Sequence, residues 1–320
     1  MKELRREPIV QRWVLISSEH PPANPKDSCP FCSGNEKDTP PEILAVRPPG
    51  GRADQWLLRV VPNVFPFFRI EGNLDRRAVG MYDEMNGIGA HELVIETPQH
   101  FQHWGTMSTE ELSRVLWAYQ QRFLDLRKDS RFRQVIVAKN HYSDHIRIPH
   151  QHSHIVAMPI IPKRIDEEIK GLDDYYRHKE RCIFCDVLHE EIAVATRVVF
   201  ESANFVAFCP YASRYPYELW VVPKNHAPDF AQISEPELKD LALNLRHVLG
   251  RLKAALHDPP YSLVVHSTPV QKFFHKGFHW HIELRPRVEE RSGFEWATGF
   301  FVNFTPPEFA AKKLREAREE

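Results

Sequence analysis

The strongest constraint on this chain is an order of metal-type residues that occurs twice. The first half reads Cys29-Pro-Phe-Cys32, then a strand-like segment closing on His100, then His150-Gln-His152-Ser-His154. The second reads Cys182-Ile-Phe-Cys185, a strand-like segment closing on His226, then His279-Trp-His281-Ile-Glu283. The middle pieces also match, with Glu92-Leu-Val-Ile-Glu-Thr-Pro-Gln-His100 lying beside Glu218-Leu-Trp-Val-Val-Pro-Lys-Asn-His226. The interval from closing histidine to final motif is nearly equal in the halves. The interval from cysteine pair to closing histidine is longer in the first, which places an insertion within Arg52 to Gly89. Three elements in one order argue for a duplicated domain.

Local patterning predicts what each copy contains. Trp13-Val-Leu-Ile16, Leu57 to Val61, Leu93-Val-Ile95 and Val135-Ile-Val137 read as strands by their β-branched and apolar content. Phe205 to Phe208, Leu219 to Val222, Leu263-Val-Val265 and Trp280 to Leu284 read the same way. Ser108 and Ser234, each followed by acidic residues, open amphipathic helices running towards Leu126 and Leu256. The expected class is α+β, two tandem domains of antiparallel sheet with packed helices, spanning residues 1–170 and 171–320. The boundary falls in the charged stretch Arg164 to Arg181, and Pro307 to Glu320 reads as a polar helix.

Thiolate and imidazole suit a borderline-soft cation, and four of them close a tetrahedron. The expected zinc sets are Cys29, Cys32, His100 and His150, then Cys182, Cys185, His226 and His279, two ions per chain. His103 competes with His100, and His266, His275 and His281 compete with His279. A redox reading of Cys-x-x-Cys needs a helix start after a strand, which Cys32-Ser-Gly-Asn does not resemble. The fifth cysteine, Cys209, reads as a small buried apolar residue.

His150, His152 and His154 alternate, so on a strand they share one face while Gln151 and Ser153 share the other. With His150 held by metal, His152 is the next imidazole along that face. Unprotonated imidazole is a good nucleophile near neutral pH, and attack on phosphorus would give a nucleotidyl-histidine. His154 is then placed to stabilise charge on the phosphoryl oxygens. The competing reading is a non-catalytic zinc module that binds nucleotides or a protein.

A net charge of −1 argues against an extended nucleic-acid or anionic-membrane surface. No apolar run is long enough for a transmembrane helix, and the charged start Met1 to Glu7 is no signal peptide, so a cytoplasmic protein is expected.

These residues resemble the histidine-triad superfamily and, within it, the galactose-1-phosphate uridylyltransferase family, over almost the whole chain. Arg6-Glu-Pro-Ile-Val-Gln-Arg-Trp-Val-Leu-Ile16 is similar to that family's opening. Cys29-Pro-Phe-Cys-Ser-Gly-Asn-Glu36 with Thr39-Pro-Pro-Glu42 is similar to its first zinc pair. Arg59-Val-Val-Pro-Asn-Val-Phe-Pro66 resembles its nucleoside-binding stretch, which implies contact between Asn63 and base or ribose. Asn140 matches an asparagine near the family's active site, and Gly299 and Asn303 its C-terminal segment. The resemblance implies tandem histidine-triad-like domains, transfer of UMP from UDP-glucose to a hexose 1-phosphate through a histidine, and a homodimer. Two departures open an alternative, a nucleotide-sugar or dinucleotide hydrolase or phosphorylase using the same histidine. The family's glutamine is His154 here, and its glycine-bearing phosphate loop is Tyr142-Ser-Asp-His-Ile-Arg-Ile-Pro149. There Arg147 offers a charged fork in place of the lost donors. The paired cysteines of the second half also resemble ADP-glucose phosphorylase-like proteins.

Overall fold

The computed structural model describes residues 2–19, 29–52, 55–142, 148–270, 276–289 and 292–318. In the first half, β1 (Lys2–Arg6), β2 (Trp13–Ser17), β3 (Leu44–Val46), β4 (Leu58–Pro62), β5 (Arg77–Val79), β6 (Tyr82–Asn86) and β7 (Ala90–Ile95) precede α1 (Thr109–Leu126). Then come β8 (Gln134–His141), β9 (His152–Met158), α2 (Lys163–Lys179) and α3 (Ile183–Val194). The second half continues with β10 (Val198–Glu201), β11 (Phe205–Phe208), β12 (Leu219–Pro223), α4 (Glu235–Leu256), β13 (Tyr261–His266) and β14 (His281–Pro286). Two short helices close the chain, α5 (Gly293–Thr298) and α6 (Pro307–Glu316). The expected strands and helices are present, and the predicted division near residue 170 falls inside α2.

The duplication is visible as topology. The large sheet has ten strands in the order β10-β11-β12-β14-β13-β8-β9-β7-β4-β3. Read from either edge to the middle, the two halves give the same sequence of elements: β3, β4, β7, β9, β8 against β10, β11, β12, β14, β13. Each copy is an antiparallel sheet with packed helices, and the two sheets fuse where β8 pairs with β13. The inserted β5 and β6 join β1 and β2 in a separate four-stranded sheet. They fall in the region where the longer first interval places an insertion.

One alignment of the halves needs correction by a residue. Val94 lies opposite Ser153, whereas Val221 lies opposite Ile282. The strands therefore match Val94 with Val221, not with Trp220, and the slack is taken up before the closing histidine.

The helices α1 and α4 lie side by side on one face of the fused sheet. Both begin with a capping box, at Ser108 with Glu111 and at Ser234 with Glu237, which satisfies backbone donors at the helix start. Their apolar stripes, Leu112, Val115, Tyr119 and Phe123 on one and Leu238, Leu241, Leu245 and Val248 on the other, share one core. Each such side chain contributes about 1.5–3 kcal/mol on burial. Gly105, just before α1, approaches Gly250 of α4 so closely that a Cβ would sit 2.8 Å from its nitrogen. Cys209 is buried in this core, as its residue type implied.

Candidate functional site

The first Cys-x-x-Cys is a tight turn, with the Cys32 amide donating to the Cys29 carbonyl at 3.2 Å. It brings Sγ of Cys32 to 3.2 Å from Nδ1 of His100 and 3.7 Å from Nδ1 of His150, and Sγ of Cys29 to 3.6 Å from the latter. The second pair repeats this on a different scaffold, with Cys182 as the N-cap of α3 and Cys185 in its first turn. There the distances are 3.7 Å from Cys182 to His279, 3.6 Å from Cys185 to His226 and 3.7 Å from Cys185 to His279.

These values test the fit of a metal. A tetrahedron with metal–sulfur bonds of about 2.3 Å and metal–nitrogen bonds of about 2.0 Å has edges of about 3.5 Å. Nε2 of His150 donates to the Thr97 carbonyl at 2.7 Å, and Nε2 of His279 to that of Pro223 at 3.0 Å. Each bond puts the proton on the far nitrogen and aims the Nδ1 lone pair inward. Both four-residue sets can hold zinc. Burial pushes the Cys29 thiol up to about 11 and the Cys185 thiol up to about 12, so a cation must displace a proton to bind.

The competing histidines go elsewhere. Nε2 of His103 and Nε2 of His141 both face Asp258, at 3.3 and 3.1 Å. Nδ1 of His103 accepts from the Gly105 amide, which puts the ring proton on Nε2, towards Asp258. His266 is sandwiched by carboxylates: Glu168 lies 2.9 Å from Nδ1 and Glu283 lies 3.5 Å from Nε2. Its pKa is raised to about 9, the two glutamates outweighing burial. His275 and Arg147 lie outside the described residues.

Alternation holds for part of the triplet, since β9 begins at His152 and His150 lies before it, buried beside the cysteines. His152 and His154 are half-buried on one face with ring centroids 5.1 Å apart, while Gln151 and Ser153 are buried on the other. Nδ1 of His152 donates to the His150 carbonyl at 2.7 Å. The proton therefore sits on Nδ1, and among the described residues no hydrogen-bond partner meets the Nε2 lone pair. Phe31, inside the cysteine turn, packs edge-on to the His152 ring at 5.4 Å. Burial pulls His152 down to about 4, with its bond to the His150 carbonyl opposing and Lys139 assisting. Burial and then His152 pull His154 down to about 4.

His91, on β7, carries no signal in the sequence, being a single histidine ahead of a strand. Its Nδ1 accepts from the Phe67 amide at 2.9 Å, and its ring stacks on Phe67 at 4.6 Å. Nε2 of His91 must then carry the proton, and it faces Nδ1 of His154 at 3.0 Å. That leaves the His154 proton on Nε2. The Asn63 amide nitrogen is 3.2 Å from the same His91 nitrogen. Asn63 and His91 line a cavity of about 390 Å³ with Pro62, Phe68, Arg69 and Glu71. Gly89 shapes that wall, since a Cβ there would lie 2.7 Å from Cβ of Phe68. Asn140 lies on β8, its Oδ1 accepting from Ser262 at 2.8 Å. A cavity of about 430 Å³ beside Trp13, Arg77 and Met85 contains none of these residues.

The second copy has the same backbone device and a different outcome. Nδ1 of His281 donates to the His279 carbonyl at 3.0 Å, and Phe184 packs on it at 4.5 Å. Yet His281 is only 1% exposed, with Glu168 of α2 3.8 Å from Nε2.

Residues 168–289 match the model of the galactose-1-phosphate uridyl transferase C-terminal domain. An ADP-glucose phosphorylase of Arabidopsis thaliana is 30% identical over 98% of this chain and 92% of its own. A galactose-1-phosphate uridylyltransferase of Thermotoga maritima is 27% identical over the full length of both. The crystal structure of an Arabidopsis thaliana ADP-glucose phosphorylase with bound ADP-glucose superposes with a TM-score of 0.80, at 28% identity over 99% of this chain and 100% of that one. Fold and relatives together define an enzyme that transfers nucleotidyl groups, built on two halves of matching strand order. The chain belongs to the galactose-1-phosphate uridylyltransferase family.

Proposed function

We propose that the chain transfers a nucleoside monophosphate from a nucleoside-diphosphate sugar to a phosphate-bearing acceptor through a nucleotidyl-histidine on His152. The observation that carries this reading is the His152 Nδ1 bond to the His150 carbonyl, which makes Nε2 the unprotonated nitrogen on a half-buried face. In the first step Nε2 forms a bond to the α-phosphorus, while the bond from that phosphorus to the bridging oxygen breaks. The sugar 1-phosphate leaves with the electron pair. In the second step an acceptor phosphate oxygen attacks the same phosphorus, and the N–P electron pair returns to Nε2. The donor nucleoside occupies the cavity of Asn63 and His91. Asn140 and Arg147 belong to the binding side of this reading. Zinc on the first Cys/His set would supply a closed structural anchor beside His152, and zinc on the second an anchor for α3.

The first reading of the substrates is UDP-glucose and a hexose 1-phosphate, as the name of the Thermotoga relative supports. The second is ADP-glucose and inorganic phosphate, supported by the 30% identity to the Arabidopsis phosphorylase. Incubating the chain with each nucleotide sugar and weighing it decides the donor, since UMP or AMP adds a distinct mass. Adding hexose 1-phosphate or inorganic phosphate then discharges the adduct with the true acceptor. Discharge by water alone would replace both readings with a hydrolase. A homodimer completes the proposal, with the exposed aromatics Trp296, Phe300 and Phe304 as the stretch that meets the second copy.

His154 donates from Nε2 to a phosphoryl oxygen, a task that a side-chain amide could also perform. His154→Ala should lower turnover about 10²–10³-fold, the usual loss of one such donor. His154→Gln should retain most of it. His91→Phe keeps the ring on Phe67 and removes the donor that sets the His154 proton, so part of the same loss is expected. Steady-state rates of the three variants check this, and a His91→Phe enzyme at full rate overturns it.

A further inference from the structure

The face of β9 turned away from the triplet carries a buried polar cluster that the reaction above does not use. Lys139 and Glu96 form an ion pair at 2.7 Å with no exposed side-chain surface on either partner. Nζ of Lys139 also donates to Oε1 of Gln151 at 2.8 Å. The Glu96 carboxylate accepts from Trp104 Nε1 at 2.6 Å and from the Ser153 hydroxyl, which also bonds the Tyr119 hydroxyl at 2.5 Å. Gln151 and Ser153 are the residues on either side of His152. The cluster thus grips β9 immediately before and after the nucleophile.

Duplication supplies an internal control. Ser153 faces Lys139 across β8 and β9, and the corresponding pair across β13 and β14 is Ile282 with Val265. Gln151, between two motif histidines, corresponds to Trp280. Counted from the capping serines, Tyr119 of α1 corresponds to Leu245 of α4. Glu96 follows Val94 on the same face, and the residue that follows Val221 likewise is Pro223. The second copy builds this layer with apolar residues throughout. Burying an ion pair is expensive, and well-packed apolar replacements are often as stable or more so. The fold therefore does not need the cluster, and the copy that retains it is the one whose histidine stands open.

We propose that Glu96, Lys139, Tyr119, Gln151 and Ser153 are positioning residues for His152. They hold the backbone of residues 151–153 so that the imidazole keeps its bond to the His150 carbonyl and presents Nε2 in one orientation. This rests on the nucleotidyl-histidine reading, and its test has one readout that depends on that chemistry and one that does not.

The variants are Glu96→Gln with Lys139→Met, which removes both charges together, and the milder Ser153→Ala and Tyr119→Phe. Loading of the full-length chain with UDP-glucose or ADP-glucose is followed in single turnovers by mass. Nitrogen NMR of labelled imidazoles reports which His152 nitrogen carries the proton. The double variant should keep its melting temperature and metal content. Its loading should slow at least about tenfold, a loss typical of displacement by less than an ångström, at an unchanged half-saturating donor concentration. His152 should pass from Nδ1–H alone to a mixture of tautomers. Ser153→Ala should show a smaller slowing, restored by Ser153→Thr, and this decides the matter should the double variant not fold. Loading within twofold of the parent and an unchanged tautomer would overturn the proposal. A parent chain that loads no nucleotide speaks against the nucleotidyl-histidine, and the tautomer then tests the positioning by itself.

Discussion

His152→Ala should abolish the nucleotidyl-protein and lower turnover by about four orders of magnitude or more, the scale expected when a covalent nucleophile is removed. No other imidazole of the chain's two motifs can stand in. His154 has its Nδ1 occupied by His91 and its Nε2 protonated. His150 spends Nε2 on Thr97 and turns Nδ1 to the cysteines. His281 has the right tautomer and is closed off under Glu168. The same geometry sets the sign of the pH dependence. Imidazole attacks only when neutral, and burial holds His152 near 4, below its ordinary value of 6.5. Loading should therefore stay level from pH 8 to about 5 and fall as pH drops towards 4. Single-turnover rates across that range check it, and an acid limb centred near 6.5 would contradict it.

Cys32→Ala should remove one metal ion per chain and take the first half's structure with it. A closed Cys/His zinc site contributes on the order of 10–16 kcal/mol to folding in small domains. A whole domain is stable by only about 5–15 kcal/mol. The cysteine turn also carries Phe31, which packs on His152, and joins His100 and His150 from separate elements. Loss of the ion should lower the melting temperature by more than about 10 °C and end nucleotide loading. Cys185→Ala should also lose one ion and melt early, because α3 is tied to His226 and His279 through it. It should retain some loading at low temperature, since His152 lies in the other copy. Metal analysis, calorimetry and adduct mass on both variants separate the two centres. Equal loading by Cys32→Ala and Cys185→Ala would sink the assignment of the first centre to the catalytic half.

Much of this arrangement is legible in the chain because its signals are local or repeated. Capping serines with a glutamate three residues on mark α1 and α4, and alternation separates His152 and His154 from Ser153 on β9. The two Cys/His sets that could hold metal are readable because the same order of residues comes twice, which favours His100 over His103 and His279 over His266. What escapes the sequence depends on pairing between distant strands. His91 meets His154 because β7 and β9 are neighbours, and nothing near position 91 announces it. Glu96 and Lys139 look like surface charges on paper and are buried because β8, β9 and α1 converge on them. The fusion of two sheets into one rests on β8 finding β13, a contact between copies that no pattern within a copy encodes.

That fusion limits how the enzyme can move. Backbone bonds run across the seam from Val137 to His141 and from Tyr261 to Val265. Opening and shutting the halves like a clam would tear this ladder in every cycle. Donor entry and product exit must therefore be governed by side chains and surface segments at the rim, and turnover should change little when solvent viscosity or a crosslink between the halves restrains large-scale bending.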